Sequence, residues 1–147
     1  MIGKRTTRTL LIAVVSAGWS CAGDGTGLDE LGNWLGPAPV ALGPTLSSIQ
    51  RYVFDPICTQ CHTGAAAPLG LALDSGVARG NLVSVASVEM PTMLRVYPGN
   101  PDSSYVVWKI EGRTGIIGGQ MPLGLQRLSP NVIAAFRGWI AAGAEAN

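Results

Sequence analysis

The pentapeptide Cys58-Thr59-Gln60-Cys61-His62 constrains this chain more than any other feature. It holds two of the three cysteines and the only histidine. Two thiols one helical turn apart can close a disulfide, work as a redox dithiol, contribute to a zinc site or carry a covalently attached group. Each of these demands different company from the rest of the sequence.

A redox dithiol of the C-x-x-C type usually follows a strand in a βαβ context, and no such context surrounds Cys58. Structural zinc takes four ligands, normally Cys and His. Beyond Cys58, Cys61 and His62 the chain offers only Cys21, across a stretch rich in Gly and Pro. Haem attachment gives a job to each reactive residue: the two thiols add to two vinyl groups as thioethers, and the adjacent imidazole becomes the proximal iron ligand. Thr59 and Gln60 are then spacers with no special chemistry. One haem c is therefore the expected cofactor. A chain with only 6% aromatic residues would gain from a bulky group to pack around.

The N-terminus reads as an export signal over residues 1–21. Lys4, Arg5 and Arg8 form a basic region, and Leu10 to Ala17 form an apolar run too short to span a bilayer. Small residues lead up to Cys21, in the manner of a bacterial lipobox, although Trp19 is bulky and Gly18 stands where a Leu-like residue is usual. Cys21 is the expected lipidation site; ordinary cleavage nearby is the competing reading. Export places the protein in an oxidising compartment, periplasmic or on the outer envelope. Loss of the three basic residues would take the net charge from +1 to −2, and neither value suggests a nucleic-acid footprint.

Residues 22–44 sustain no helical or strand period and read as a Gly/Pro-rich tether. Residues 45–147 read as an all-α domain of three to four helices with long loops. A first helix, capped by Ser47 or Ser48, runs toward Cys61 with a kink or split at Pro56. Residues 63–101 are loops with one short helix near 75–81. A further helix follows a cap at Asp102 or Ser103 and ends before Gly112. The last helix has Ser129 as cap, Pro130 at its first position, an apolar stripe of Ile133, Phe136, Trp139 and Ile140, and Gly143 at its end.

With a single histidine, bis-His ligation within the chain is excluded. The second axial position is left to Met, Lys, Tyr or an open site, and the methionine candidates are Met90, Met93 and Met121. Met121 lies 59 positions after His62 in Gly-Gly-Gln-Met-Pro, where Gly118 and Gly119 allow close approach and Pro122 stiffens the exit. Met90 lies 28 positions after His62. Any one Met is ordinarily core filler, but a vacant iron position favours a thioether on a constrained loop, and Met121 fits better than Met90.

The stretches VFDPICTQCHTG, GLALDSG, YPGNPDSSYVVWKIEG, GQMP and LSPNVIAAFRGWIAAGA together resemble a class I c-type cytochrome. They are similar in particular to short monohaem domains of exported bacterial lipoproteins, over most of residues 49–144. The resemblance implies thioethers at Cys58 and Cys61, His62 as proximal ligand, Met121 as distal ligand and helices wrapped around one haem. It also implies Tyr105 and Trp108 in the haem pocket wall, with plain core packing as the alternative. Arg95 would reach a haem propionate, or else be a solvated surface arginine. Lys109 and Arg113 are left as surface charges.

Single-electron transfer, without catalysis of bond chemistry, is the function this implies, between redox proteins that meet in weak, transient contacts. Two rivals stand beside it. One is a haem-based ligand sensor or peroxide-reactive protein with a labile distal Met. The other is a haem-stabilised structural module of an envelope complex.

Overall fold

The computed structural model describes residues 42–147. Their regular structure is helical, with four helices and no strand among the described residues. Helix α1 (Leu46–Ile49) continues directly as a wider π turn, Gln50–Phe54. Its cap is Thr45, not Ser47 or Ser48: Thr45 Oγ1 accepts from Ser48 N at 3.2 Å. Thr45 has the extended backbone that a capping residue needs, while Ser47 and Ser48 already lie within the helix. The helix ends just ahead of Pro56, as a residue lacking N–H requires.

Helix α2 (Ala78–Leu82) lies close to the expected position. A short 3-10 turn, Pro101–Ser103, leads into α3 (Tyr105–Glu111). The predicted cap of α3 moves. Asn100 Oδ1 caps the 3-10 turn by accepting from Ser103 N, and Ser104 holds the N-cap position of α3 without a side-chain capping bond. Its hydroxyl is engaged elsewhere, accepting from Tyr97 N at 2.8 Å and donating to Asn100 O at 2.8 Å. Gly112 closes α3 at φ +70°, and its N–H donates to Trp108 O at 2.9 Å. A side chain there would be strained, and its Cβ would meet Gln120 Oε1 at 2.6 Å.

Helix α4 (Pro130–Ala141) begins as expected, with Ser129 Oγ accepting from Val132 N at 3.5 Å. It buries Ala135, Phe136, Trp139 and Ile140. The core joins Phe136, Trp139 and Ile140 to Ile49, Val53 and Phe54 of the first helical segment, to Leu82 of α2 and to Val107 and Ile110 of α3. Phe54 and Phe136 meet edge-on at 5.6 Å, which fixes α4 against the first segment. Full burial of a Leu, Ile or Phe side chain contributes about 1.5–3 kcal/mol, so this cluster dominates the stability of the described residues. Isolated bridges Val83–Val96, Ala86–Leu94 and Leu94–Ser104 fasten the long connection between α2 and α3.

Candidate functional site: a cleft between His62 and Met121

Residues 58–60 form a 3-10 turn that delivers His62, whose backbone N donates to Cys58 O at 2.8 Å. Thr59 and Gln60 do more than space the motif. Thr59 Oγ1 donates to Asp55 O at 2.7 Å and Gln60 Nε2 to Pro56 O at 2.9 Å. The carbonyls at the end of a helical segment lack intrahelical partners, and these two side chains supply them. The sequence reading, with the first helix running on toward Cys61, hid this role, because the helical segment ends at Phe54 and Cys58–Gln60 is a separate turn.

Four bonds tie residues 62–64 to residues 71–74. His62 Nδ1 lies 2.9 Å from Leu71 O. Leu73 N donates to His62 O at 2.8 Å. Asp74 accepts from Thr63 Oγ1 and, at 2.8 Å, from Gly64 N. The Thr63 hydroxyl first, then the Gly64 amide, hold the Asp74 carboxyl below the usual aspartate range. A carbonyl only accepts, so Nδ1 of the neutral imidazole carries the proton and Nε2 keeps its lone pair.

His62 lines a cleft of about 490 Å³, counting the part open to solvent. Met121, Tyr105 and Arg95 line the same cleft, with Leu71, Leu82 and Val106 supplying apolar wall. Cys58 and Cys61 adjoin the cleft through the chain but are not part of its lining. Cys58 packs against the core, and burial pushes its thiol up to about 11. It is therefore a neutral thiol at pH 7, unlike the low-pKa cysteine of a redox dithiol. Cys61 is exposed, and neither thiol is in a disulfide.

The other predicted residues separate. Trp108 is not brought to the cleft: its Nε1 donates to Asp102 O at 2.7 Å, and the Arg113 guanidinium lies 5.6 Å from its ring. The helical period explains this: Tyr105, Val106 and Lys109 share the cleft-facing side of α3, and at 3.6 residues per turn Trp108 lies roughly 100° round the helix from the centre of that side. Arg95 lines the cleft with only 8% exposure and is not a surface residue. Its guanidinium donates to Leu69 O at 2.6 Å and Asn81 O at 2.8 Å. Cys21 lies outside the described residues.

Lys109 is the residue that reasoning from sequence missed. It is 7% exposed, lines the cleft and pairs with Glu89 at 2.9 Å. The signal was its position, four residues after Tyr105 on the same helix face; a lone Lys in an apolar helix was read as solvated instead. Arg113 does lie toward the surface, bridging Asp102 at 2.7 Å and Glu111 at 2.6 Å, while Arg137 of α4 pairs with the same two carboxylates.

The residues present fit a haem. An imidazole with Nε2 free and a soft thioether line one largely apolar cleft, with two buried cations, Arg95 and Lys109, in its wall. Comparison with protein-family models, with curated proteins and with solved structures finds no match to the chain.

Proposed function

We propose that the chain is a monohaem c-type cytochrome that passes single electrons between redox proteins of a bacterial cell envelope. The observation that carries this reading is the Cys58-x-x-Cys61-His62 motif, with its imidazole oriented by the Leu71 carbonyl into a cleft that Met121 also lines. Haem, when bound, supplies the one-electron couple. The chain's own residues do the rest. Cys58 and Cys61 would anchor the group by thioethers. His62 Nε2 and the Met121 sulfur would hold the iron, and a thioether would favour the ferrous state relative to a second imidazole. Leu71, Leu82 and Val106 would limit water around the group. Tyr105 belongs to the pocket wall. Arg95 offers a cation near the carboxylates of the group while its remaining N–H bonds hold backbone carbonyls.

Export and a lipid on Cys21 complete the proposal, with residues 22–44 as the tether that lets the domain meet its partners. The test is a pyridine haemochrome assay on protein made with haem maturation intact, followed by the ferric spectrum. Covalent haem in a 1:1 ratio and a low-spin spectrum with the long-wavelength band of thioether ligation are expected. Absence of covalent haem would remove the reading. High-spin resting haem, unchanged by Met121→Ala, would transfer support to a ligand-binding or peroxide-reactive protein.

A further inference from the structure

Residues 113–127 connect α3 to the approach of α4 and include four glycines, Gly115, Gly118, Gly119 and Gly124, with Gly112 just before them at the close of α3. Glycine-rich backbone is costly to hold in one conformation. A sulfur carried by such a segment keeps a fixed position only if something outside the segment holds it.

Helix α3 does this at four points. Ile117 N donates to Tyr105 Oη at 3.0 Å. Lys109 Nζ donates to Ile117 O at 2.7 Å. Met121 N donates to Lys109 O at 2.9 Å. Gln120 Nε2 donates to Ile110 O at 2.8 Å. Both polar groups of one peptide residue, Ile117, are thus taken by side chains four positions apart on a single helix. Tyr105 and Lys109 are 4% and 7% exposed. A buried ammonium is tolerated only when its charge is met. Here Glu89 meets it at 2.9 Å from a separate loop, and the Tyr105 ring lies 5.9 Å from Nζ. Gly118, next in sequence to the clamped residue, has φ +71°, a turn between Ile117 and Met121, both of which bond to α3.

We infer that Tyr105 and Lys109, the latter held by Glu89, are positioning residues that lock residues 117–121 and thereby fix the Met121 sulfur in the cleft. The inference rests on Met121 being the distal ligand for its effect on ligation, but the lock itself is a property of the chain. Removal of one bond that the folded loop makes and the open loop does not shifts the opening equilibrium roughly tenfold. Once the loop opens, the thioether leaves the iron position and an added ligand can take its place.

The experiment uses the haem-loaded full chain and three variants: Tyr105→Phe, Lys109→Met and Trp108→Phe. Trp108→Phe removes a hydrogen bond on the same helix outside the cleft and so controls for general loosening of α3. Two quantities are read: the rate at which imidazole binds the ferric protein, and amide hydrogen exchange at Ile117 and Met121 in the ferrous protein. Tyr105→Phe and Lys109→Met are each expected to raise both rates roughly tenfold, and Trp108→Phe to leave both where they were. Unchanged Ile117 exchange and an unchanged imidazole rate in Tyr105→Phe would overturn the inference. So would a rise of equal size in Trp108→Phe. Tyr105→Phe carries the test alone if Lys109→Met does not fold. If the unmodified protein shows no thioether ligation, the proposed function fails at Met121, while Ile117 exchange still decides whether the lock exists.

Discussion

The two sides of the cleft are built by different means. On the His62 side, residues 62–64 and 71–74 are joined within thirteen consecutive residues, by one backbone pair and by the side chains of His62, Thr63 and Asp74. On the Met121 side, Tyr105 and Lys109 of α3 reach across to a loop that begins after the helix has ended, and Gln120 of that loop reaches back to the Ile110 carbonyl. Each side has one bond between backbone groups and three that use a side chain. The difference is one of reach: contacts between near neighbours cost little loop-closure entropy, while the Met121 side depends on a loop held against a separate helix. The His62 side is therefore the local half of the site and the Met121 side the half that loop opening can release.

The largest expected effect breaks both halves together. Cys58→Ala with Cys61→Ala should abolish covalent haem and leave a chain without a cooperative thermal transition, because the small core loses the group it packs around. Survival of a sharp calorimetric transition would contradict this. Next comes Met121→Ala, which separates the halves: covalent haem stays, the ferric spectrum turns high-spin or water-ligated, and the midpoint potential falls. An unaltered spectrum would move the distal ligand elsewhere. Leu82→Ala removes a side chain that is at once core and cleft wall, and should cost about 2–5 kcal/mol in denaturant unfolding. Gly112→Ala confines the damage to the distal side. It forces an L residue to φ +70° against Gln120, at about 1–2 kcal/mol from backbone strain alone, and should speed loop opening more than global unfolding in hydrogen exchange.

The smallest effect sharpens the proximal half. Asp74 has its carboxyl held below the usual aspartate value by Thr63 and Gly64. Its folded-state pKa lies below its unfolded one, so the stabilisation is present in full above the unfolded value. It is lost as pH falls through the folded value. An acid titration of Tm should show Asp74→Asn converging on the unmodified protein at low pH and lying below it near neutrality. Parallel curves at all pH values would refute the assignment. Asp102, held low by Arg113 first and then Arg137, gives the same sign and so must be left intact in both proteins.

How much of this was legible follows the same division. The α4 stripe, its Ser129 cap and the break ahead of Pro56 could be read because local periodicity and proline chemistry decide them. His62 and Met121 could be nominated because their residue types are scarce, and they do line one cleft. The Thr45 cap was missed by two or three residues, since several hydroxyls in a row offer the same bond and only backbone geometry chooses. Trp108 was assigned by resemblance to the pocket wall and points to Asp102 instead. Lys109 was hidden for a deeper reason. A buried lysine makes sense only once Glu89, twenty positions earlier, and the Ile117 carbonyl are known to converge on it, and no pattern along the chain announces a meeting of three segments.

Leu82 is wholly enclosed, belongs to the central apolar cluster and also forms part of the cleft wall. The inside of the protein and the lining of its site are, at that point, one surface. Whatever fills the cleft enters the folding equilibrium itself, raising the free energy of unfolding with its own affinity. The consequence is one of turnover. Chains that wait for their occupant open more often, and proteases acting on open forms remove them first. The abundance of the chain would then report how well it is being filled, and a drop in its level would precede any visible loss of activity in the molecules that remain.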